Sequence, residues 1–444
     1  MNYYFERIII ILFIFALPYN NFPFIQSGTL KPLVVLPILI YITFKIAQES
    51  MQPSTHHINK LDKQVLTMFI VFHFISLVML GWNYEYMLAQ KQTSPLVRYI
   101  QFFIYSFISL ASYYIGSRAI RLIGLKSSLH YILLSFGPSL IIGVFQIITK
   151  NSRFINQIRS FFVSTQYPDG YYRIHLLTTE PSHAAIDLVV FIIPITLYCL
   201  QESKNKIGYG ILLTIQLLLV FYTKSILGVI LLFGLCSIVL VLNLKLKYFS
   251  RLFQGLIFIA FVGVILYFSG VTPISKNDID YFTHRLTKSI NNADESAITR
   301  TASYEVAYNI FREYPILGIG FRNAGYYYKD FINKQYLNIG LIRDWGQKDS
   351  PRFADIKSTF LEVLVASGII GSLFFIKFYL KILSFIKKIK CASLVDSKLF
   401  LVIVGMSIVC SFSISLIGYP YFWFVIGIIS GYYRKFRLET FNMA

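Results

Sequence analysis

Apolar runs of roughly bilayer length recur along nearly the whole chain, and no other feature limits its fold so strongly. They fall at 4–19, 30–46, 64–82, 96–116, 129–149, 184–200, 207–223, 225–244, 252–270, 358–380, 398–417 and 419–433. A helix needs about 20 consecutive apolar residues to cross a bilayer, fewer at the lower limit, so the runs predict twelve spanning helices. Only 14% of the 444 residues are charged and mean hydropathy is +0.61, where soluble domains carry about 25% charge. The expected fold is an all-α polytopic membrane protein with a large, partly helical outer loop. No small-residue cleavage site follows the first run, so it reads as a retained first helix.

Lysine and arginine placement sets the orientation. With the N-terminus inside, the inner segments hold 21 Lys and Arg against six acidic residues, and the short outer segments hold 8. The long outer loop holds 12 basic and 10 acidic residues. Most of the formal charge of +20 is therefore a topology signal. A nucleic-acid partner is excluded, because no basic run is coupled to a binding motif. Both termini are expected in the cytoplasm. The chain reads as one membrane domain with a loop subdomain: nine spans over 1–270, including an outer loop at 150–183; the large loop at 271–357; and three spans with a cytoplasmic tail over 358–444. Cys199, Cys236 and Cys410 lie in or at the ends of apolar runs and Cys391 in a Lys-rich loop. With no CxxC, neither a disulfide framework nor a zinc site is expected.

Three outer stretches could carry chemistry. The first contains Arg173, His175, Glu180, Pro181, Ser182, His183 and, in the first turns of the next helix, Asp187. Proline suits a first helical turn, where its missing N–H would be unpaired anyway. A capped helix with interfacial charges is one reading. A polar cavity lined by Arg173, Glu180 and Asp187 is the other. The second stretch is the turn Thr223-Lys224-Ser225, whose lysine either snorkels to headgroups or meets an anionic ligand.

The third runs from Arg300 to Gly371. Ala302, Val306 and Ile310 form one stripe of an amphipathic helix, with Glu305, Asn309 and Arg312 largely off it. Pro315 ends that helix, and Gly318 and Gly320 permit backbone angles other residues avoid. Arg322 follows, then Tyr326, Tyr327, Tyr328, Tyr336 and Trp345. Such aromatics offer faces to sugars or sit at a membrane interface, and both readings stand. Asp355, Lys357 and Ser358 close the loop. Glu362 lies about one turn inside the membrane, where a lone carboxylate is costly and calls for a basic partner. GxSxG, HExxH, P-loop and GxGxxG signatures are missing. The outer histidines match no metal spacing, so no metal or other cofactor is expected. A cytoplasmic nucleotide-sugar donor is excluded by the lack of a soluble nucleotide-binding domain.

These residues carry a family resemblance. Arg300, then Tyr314-Pro315-Ile-Leu-Gly318-Ile-Gly320-Phe321, then Lys357-Ser358-Thr-Phe-Leu361-Glu362 and Gly368-Ile-Ile-Gly371 resemble the O-antigen polymerase and O-antigen ligase superfamily. Arg173 with Glu180-Pro181-Ser182, and Thr223-Lys224-Ser225, fit its earlier signatures in the same order. The likeness covers roughly 165–375. It implies a multi-pass enzyme of a bacterial inner membrane, acting on the periplasmic side, with an undecaprenyl-diphosphate-linked glycan as donor and another as acceptor. The lipid bilayer, a chain-length regulator and a flippase would be its partners.

In a polymerase of this kind a hydroxyl of one unit attacks the anomeric carbon of the other, and lipid diphosphate leaves. Cations must meet the departing charge. Arg300 is the leading candidate, with Arg173, Arg322 and Lys357 next. Glu180 joins the catalytic set, and Lys224, Asp187, Tyr326, Tyr327, Asp355 and Glu362 are expected at the substrate. Ligases of the superfamily show His-Asn where this chain has Lys357-Ser358. Lysine is a poor base unless its pKa falls steeply, so the departure favours a polymerase over a ligase. It leaves the base open among Glu180, Asp187 and Asp355. A flippase or exporter of the same units is the alternative from another class, and the scarcity of mid-helix charge speaks against it.

The topology makes a direct prediction. Alkaline phosphatase fused after Lys348 should be active and fused after Ser393 inactive. The reverse pattern would invert every assignment of side made above.

Overall fold

Helix is the regular structure throughout the described residues, as chain segments immersed in hydrocarbon require. The computed structural model describes residues 2–19, 33–51, 59–149, 153–162, 173–242, 295–350, 353–391 and 393–442. In chain order the helices are α1 Asn2–Ala16, α2 Val35–Met51, α3 Lys60–Trp82, α4 Tyr84–Gln90, α5 Pro95–Leu122, α6 Leu125–Ile148, α7 Arg153–Ser160 and α8 Pro181–Ile186. A π-helical turn, Asp187–Ile192, leads into α9 Ile193–Glu202, followed by α10 Lys206–Tyr222 and α11 Ile226–Leu242. Then come α12 Glu295–Glu313, α13 Ala324–Phe331, a 3-10 turn Lys334–Asn338 and α14 Gly340–Gly346. The series ends with α15 Thr359–Ile389, α16 Leu394–Ser411 and α17 Pro420–Asn442.

Five of these are long and apolar enough to cross a membrane: α3, α6, the continuous run Pro181–Glu202, α15 and α16. The sequence predicts twelve. The apolar helices α1, α2, α10 and α11 have 15–17 residues, about 25 Å at 1.5 Å per residue, against a core of about 30 Å. α5 has 28 residues but carries Arg98, Arg118 and Arg121, and α17 ends on Arg434, Lys435 and Arg437. The expected span at 252–270 lies outside the described residues, as do 271–294 of the large loop and 163–172 of the first outer region.

The chain divides into two compact units, each assembled from separated stretches. One comprises Met1–Ser54, Arg118–Leu286 and Ile389–Cys410; the other comprises Thr55–Ser117, Thr287–Lys388 and Ser411–Ala444. These units are built from discontinuous chain. In the first unit, Glu6 on α1 is almost wholly buried and gathers three elements. The Arg118 guanidinium grips it with two bonds of 2.8 and 2.9 Å, Lys45 pairs at 2.9 Å and the Tyr41 hydroxyl donates at 2.8 Å. Buried charge survives only with such complete pairing.

The second unit is built around a break in α15. Gly368 interrupts the helix at φ 57°, ψ −159°, a conformation essentially reserved for glycine. The break frees backbone groups, and the segment after α12 satisfies them. Ile319 N–H donates to Val365 O at 2.9 Å and Gly320 N–H to Ala366 O at 2.9 Å; Ile369 N–H donates to Pro315 O at 2.9 Å. The two backbones lie so close that a Cβ on Gly368 would stand 2.2 Å from Ile316 O, and one on Gly318 2.3 Å from Val365 O. Beyond the pairing, Phe321 is wedged between Phe72 and Phe102, with ring centroids 4.6 Å away on each side. Its N–H donates to Ser76 Oγ at 3.0 Å.

Replacing Gly368 with alanine forces a Cβ into that backbone and should cost at least about 2 kcal/mol. Gly137→Ala, on an open face of α6, should be neutral or stabilising by up to about 1 kcal/mol. Thermal unfolding in detergent distinguishes them; equal midpoints would mean that the junction carries no stability.

Candidate functional site

The large loop folds around its own core. Ala302, Val306 and Ile310 of α12 are fully buried, as the predicted stripe requires, together with Ile342 and Trp345. The tyrosine run belongs to this core. Tyr326, Tyr327 and Tyr328 have no exposed surface. Tyr327 packs on Tyr86 and Tyr314, and Tyr328 on Trp345. Burying a large apolar side chain from water gains about 1.5–3 kcal/mol, comparable with the cost of the Tyr327 and Tyr328 hydroxyls, which find no partner among the described residues. Tyr326 and Tyr327, expected at the substrate, thus lie within the loop's own core among the described residues. A short helix that the sequence reading did not foresee, α4, joins this core through Met87. Gln90 donates to Asp330 at 3.0 Å, and Gln92 to Asp349 at 2.7 Å.

Where the loop returns to α15, four charged residues converge. Asp355, half-exposed, accepts from Arg322 at 3.2 Å and from Arg98 at 3.3 Å. Arg322 lies over the Tyr105 ring at 4.6 Å, and Arg98 over Phe353 at 4.3 Å. Loss of surrounding water works to raise the Asp355 pKa, but Arg322, Arg98 and Lys357 outweigh it and hold the carboxyl below its ordinary range. Burial works against the charge on Arg322, and Asp355, Tyr105 and Glu362 hold its guanidinium above the usual value. Glu362 accepts from the Ser415 hydroxyl and lies within the field of Arg322. Arg322 acts on Glu362 through its field, while its bonds go to Asp355. Sequence reasoning missed Arg98, whose only signal was a charge in the first turn of an apolar helix.

Lys357 adds its charge to the field at Asp355 without bonding to it, and Arg300 lies on α12. Arg300 is half-buried there, and its side chain has no ion-pair or hydrogen-bond partner among the described residues. One turn on, Ser303 Oγ accepts from the Lys357 backbone N–H at 3.1 Å. That bond sets the exposed Lys357 against the same face, its ammonium 6.0 Å from the Trp345 ring centre.

The first unit holds the remaining candidates. Arg173 Nε donates to Thr223 O at 3.0 Å and Ile174 N–H to Tyr222 O at 3.2 Å, which ties the outer segment to the Lys224 turn. Gln146, fully buried, accepts from the His175 and Leu176 N–H groups, and Arg159 donates to Leu176 O and Thr178 O. The segment from Arg173 to Thr178 is thus pegged without being helical. α8 begins at Pro181, with exposed Glu180 before it. Buried Asp187 opens the π turn, in which Ile193 N–H reaches back to Leu188 O. Pro194 follows, which has no N–H to donate, and π turns gather at functional sites.

Among the described residues three non-glycine positions have positive φ: Leu176 at 52°, Lys224 at 49° and Arg322 at 66°. Two are candidate cations and the third lies in the Arg173 segment. Strain of this kind costs about 1–3 kcal/mol and concentrates where function holds it in place. No group of three or more His, Cys, Asp or Glu able to hold a metal occurs among the described residues.

Residues 211–376 match the model of the O-antigen ligase family. That stretch contains the Lys224 turn, α12, the folded loop and the Gly368 junction; Arg173, Glu180 and Asp187 precede it. No curated protein matches the chain. The similarity supports an enzyme of polysaccharide assembly, of the ligase and polymerase type, in a membrane-embedded all-helical chain.

The bridge at Asp355 has a pH signature. Its carboxyl has a lower pKa folded than unfolded, so it contributes stability above the unfolded value and loses it as pH falls through the folded one. The difference in unfolding midpoint between the native protein and Asp355→Asn should be constant from pH 8 to pH 5. It should shrink only below about pH 4. A difference that vanishes near pH 6 would contradict the double-arginine bridge.

Proposed function

We propose that the chain is a polymerase of undecaprenyl-diphosphate-linked oligosaccharide repeat units, building O-antigen or a related surface polysaccharide at the periplasmic face of a bacterial inner membrane. The observation that carries the reading is Arg300, a half-buried guanidinium without a counter-ion among the described residues, one turn before the Ser303 that holds Lys357, within a stretch similar to O-antigen ligases. A cation held ready but uncompensated is what a departing diphosphate needs. Charge develops on the bridging oxygen as the C–O bond breaks, and preorganised donors stabilise that charge without reorganising. Arg322 differs, since Asp355 already balances it, so its part is to bind an outlying phosphate oxygen by a charge-assisted bond. Arg173 and Lys224 give the first unit a cationic group of its own.

The acceptor hydroxyl gives up its proton as it attacks. Asp355 is ill suited to take it, because two arginines stabilise its ionised form. Glu180 and Asp187 are the other carboxylates that the resemblance offers. Transfer to lipid A-core is the second reading, favoured by the name of the matching family. The Lys357-Ser358 pair speaks against it, since an ammonium cannot replace an imidazole base.

A deletion strain complemented with native protein or Arg300→Ala, at equal protein level, separates these readings. Polymerase function predicts single-unit lipopolysaccharide in the deletion and a restored ladder with the native chain. Arg300→Ala should lower polymerisation by about 10²–10³, the usual cost of one transition-state donor. Lipid A-core without glycan, while polymer accumulates on its carrier, would make the protein a ligase instead.

A further inference from the structure

Arg98 lies in the first turn of α5 with only 5% of its surface exposed. A guanidinium buried to that degree cannot reach a ligand in solvent. What it does reach sets the geometry of Arg322. Nε donates to the Arg322 carbonyl at 3.3 Å. One terminal nitrogen donates to Asp355 Oδ1 at 3.3 Å, and the second carboxylate oxygen receives Arg322 at 3.2 Å. The other terminal nitrogen donates to Gln101 at 3.0 Å, and the flat face rests on Phe353.

Arg322 needs such restraint. At φ 66° its backbone occupies a region that a side-chain-bearing residue keeps only when its surroundings over-determine it. The bond to its carbonyl fixes the peptide that follows, and the shared carboxylate fixes the guanidinium. Asp355 also separates two positive groups that would otherwise repel. Lysine could not replace Arg98, since one ammonium cannot donate along three fixed directions while lying flat on an aromatic ring.

We propose that Arg98 is a positioning residue of the candidate site: through the Arg322 carbonyl and Asp355 it holds Arg322 in the orientation that receives the diphosphate of a lipid-linked substrate. The inference rests on the polymerase reading and adds to it a residue that does not itself touch the ligand. Arg98 acts only through Arg322, so its loss matters only while Arg322 is present.

The full-length protein in detergent, titrated calorimetrically with farnesyl diphosphate, tests this. Arg98→Lys and Arg322→Ala should each weaken binding by about tenfold or more, the scale of one misplaced charge-assisted hydrogen bond. Arg98→Lys combined with Arg322→Ala should bind no more weakly than Arg322→Ala alone. A merely structural role would weaken the Arg322→Ala background as well, so multiplied losses overturn the proposal. Native affinity in Arg98→Lys also overturns it. Should Arg98→Lys fail to fold, Phe353→Leu removes only the surface on which Arg98 rests. It should weaken binding by about threefold, and only where Arg322 is intact; an unchanged affinity in that variant overturns the proposal. If the native protein does not bind farnesyl diphosphate, the polymerase reading falls and this inference falls with it. If the native protein binds and Arg98→Lys binds equally, the inference falls alone.

Discussion

Backbone pairing across the break at Gly368 is the constraint on which the second unit depends. Hydrocarbon offers no partner to a free N–H or C=O, so an interrupted helix persists only where protein supplies one. The segment from Pro315 to Gly320 does so from both directions, accepting from Ile369 and donating to Val365 and Ala366. It thereby fixes where the chain leaves α12 and where Phe321 and Arg322 must follow. Two glycines with positive φ, Gly318 and Gly368, face each other's backbone because the two segments must nearly touch.

That geometry explains why the charged group stands where it does. Phe321 is pinned between two rings, so Arg322 projects from a fixed point. Asp355 enters from the other end of the loop and Glu362 from the first turns of α15. The carboxylates sit on chain that arrives from α14, and the arginines on chain that leaves α12 and opens α5. Their convergence is a property of the fold, since no two of the four are neighbours in sequence.

Local features were legible in the residues. The apolar stripe of α12, the start of α8 at Pro181, and the need of Glu362 for a cation all follow from periodicity, proline chemistry and the cost of buried charge. Relations across long stretches of chain were not. Arg98 and Asp355 are separated by 257 positions, and an arginine at a helix end looks the same whether it faces headgroups or a buried carboxylate. Tyr326, Tyr327 and Tyr328 were ambiguous for a different reason. Three consecutive aromatics carry no periodicity, and a helix buried all round cannot be told from an exposed aromatic platform.

The buried Glu6 has a consequence for how the chain is made. Synthesis delivers Glu6 before either of its cations, and burial of the lone carboxylate is costly until one arrives. Lys45 emerges on the very next helix, whereas Arg118 follows roughly 4–15 s later at 5–20 residues per second. The two cations therefore have successive duties. Lysine escorts the carboxylate through early insertion, and the bidentate arginine later locks it into the finished first unit.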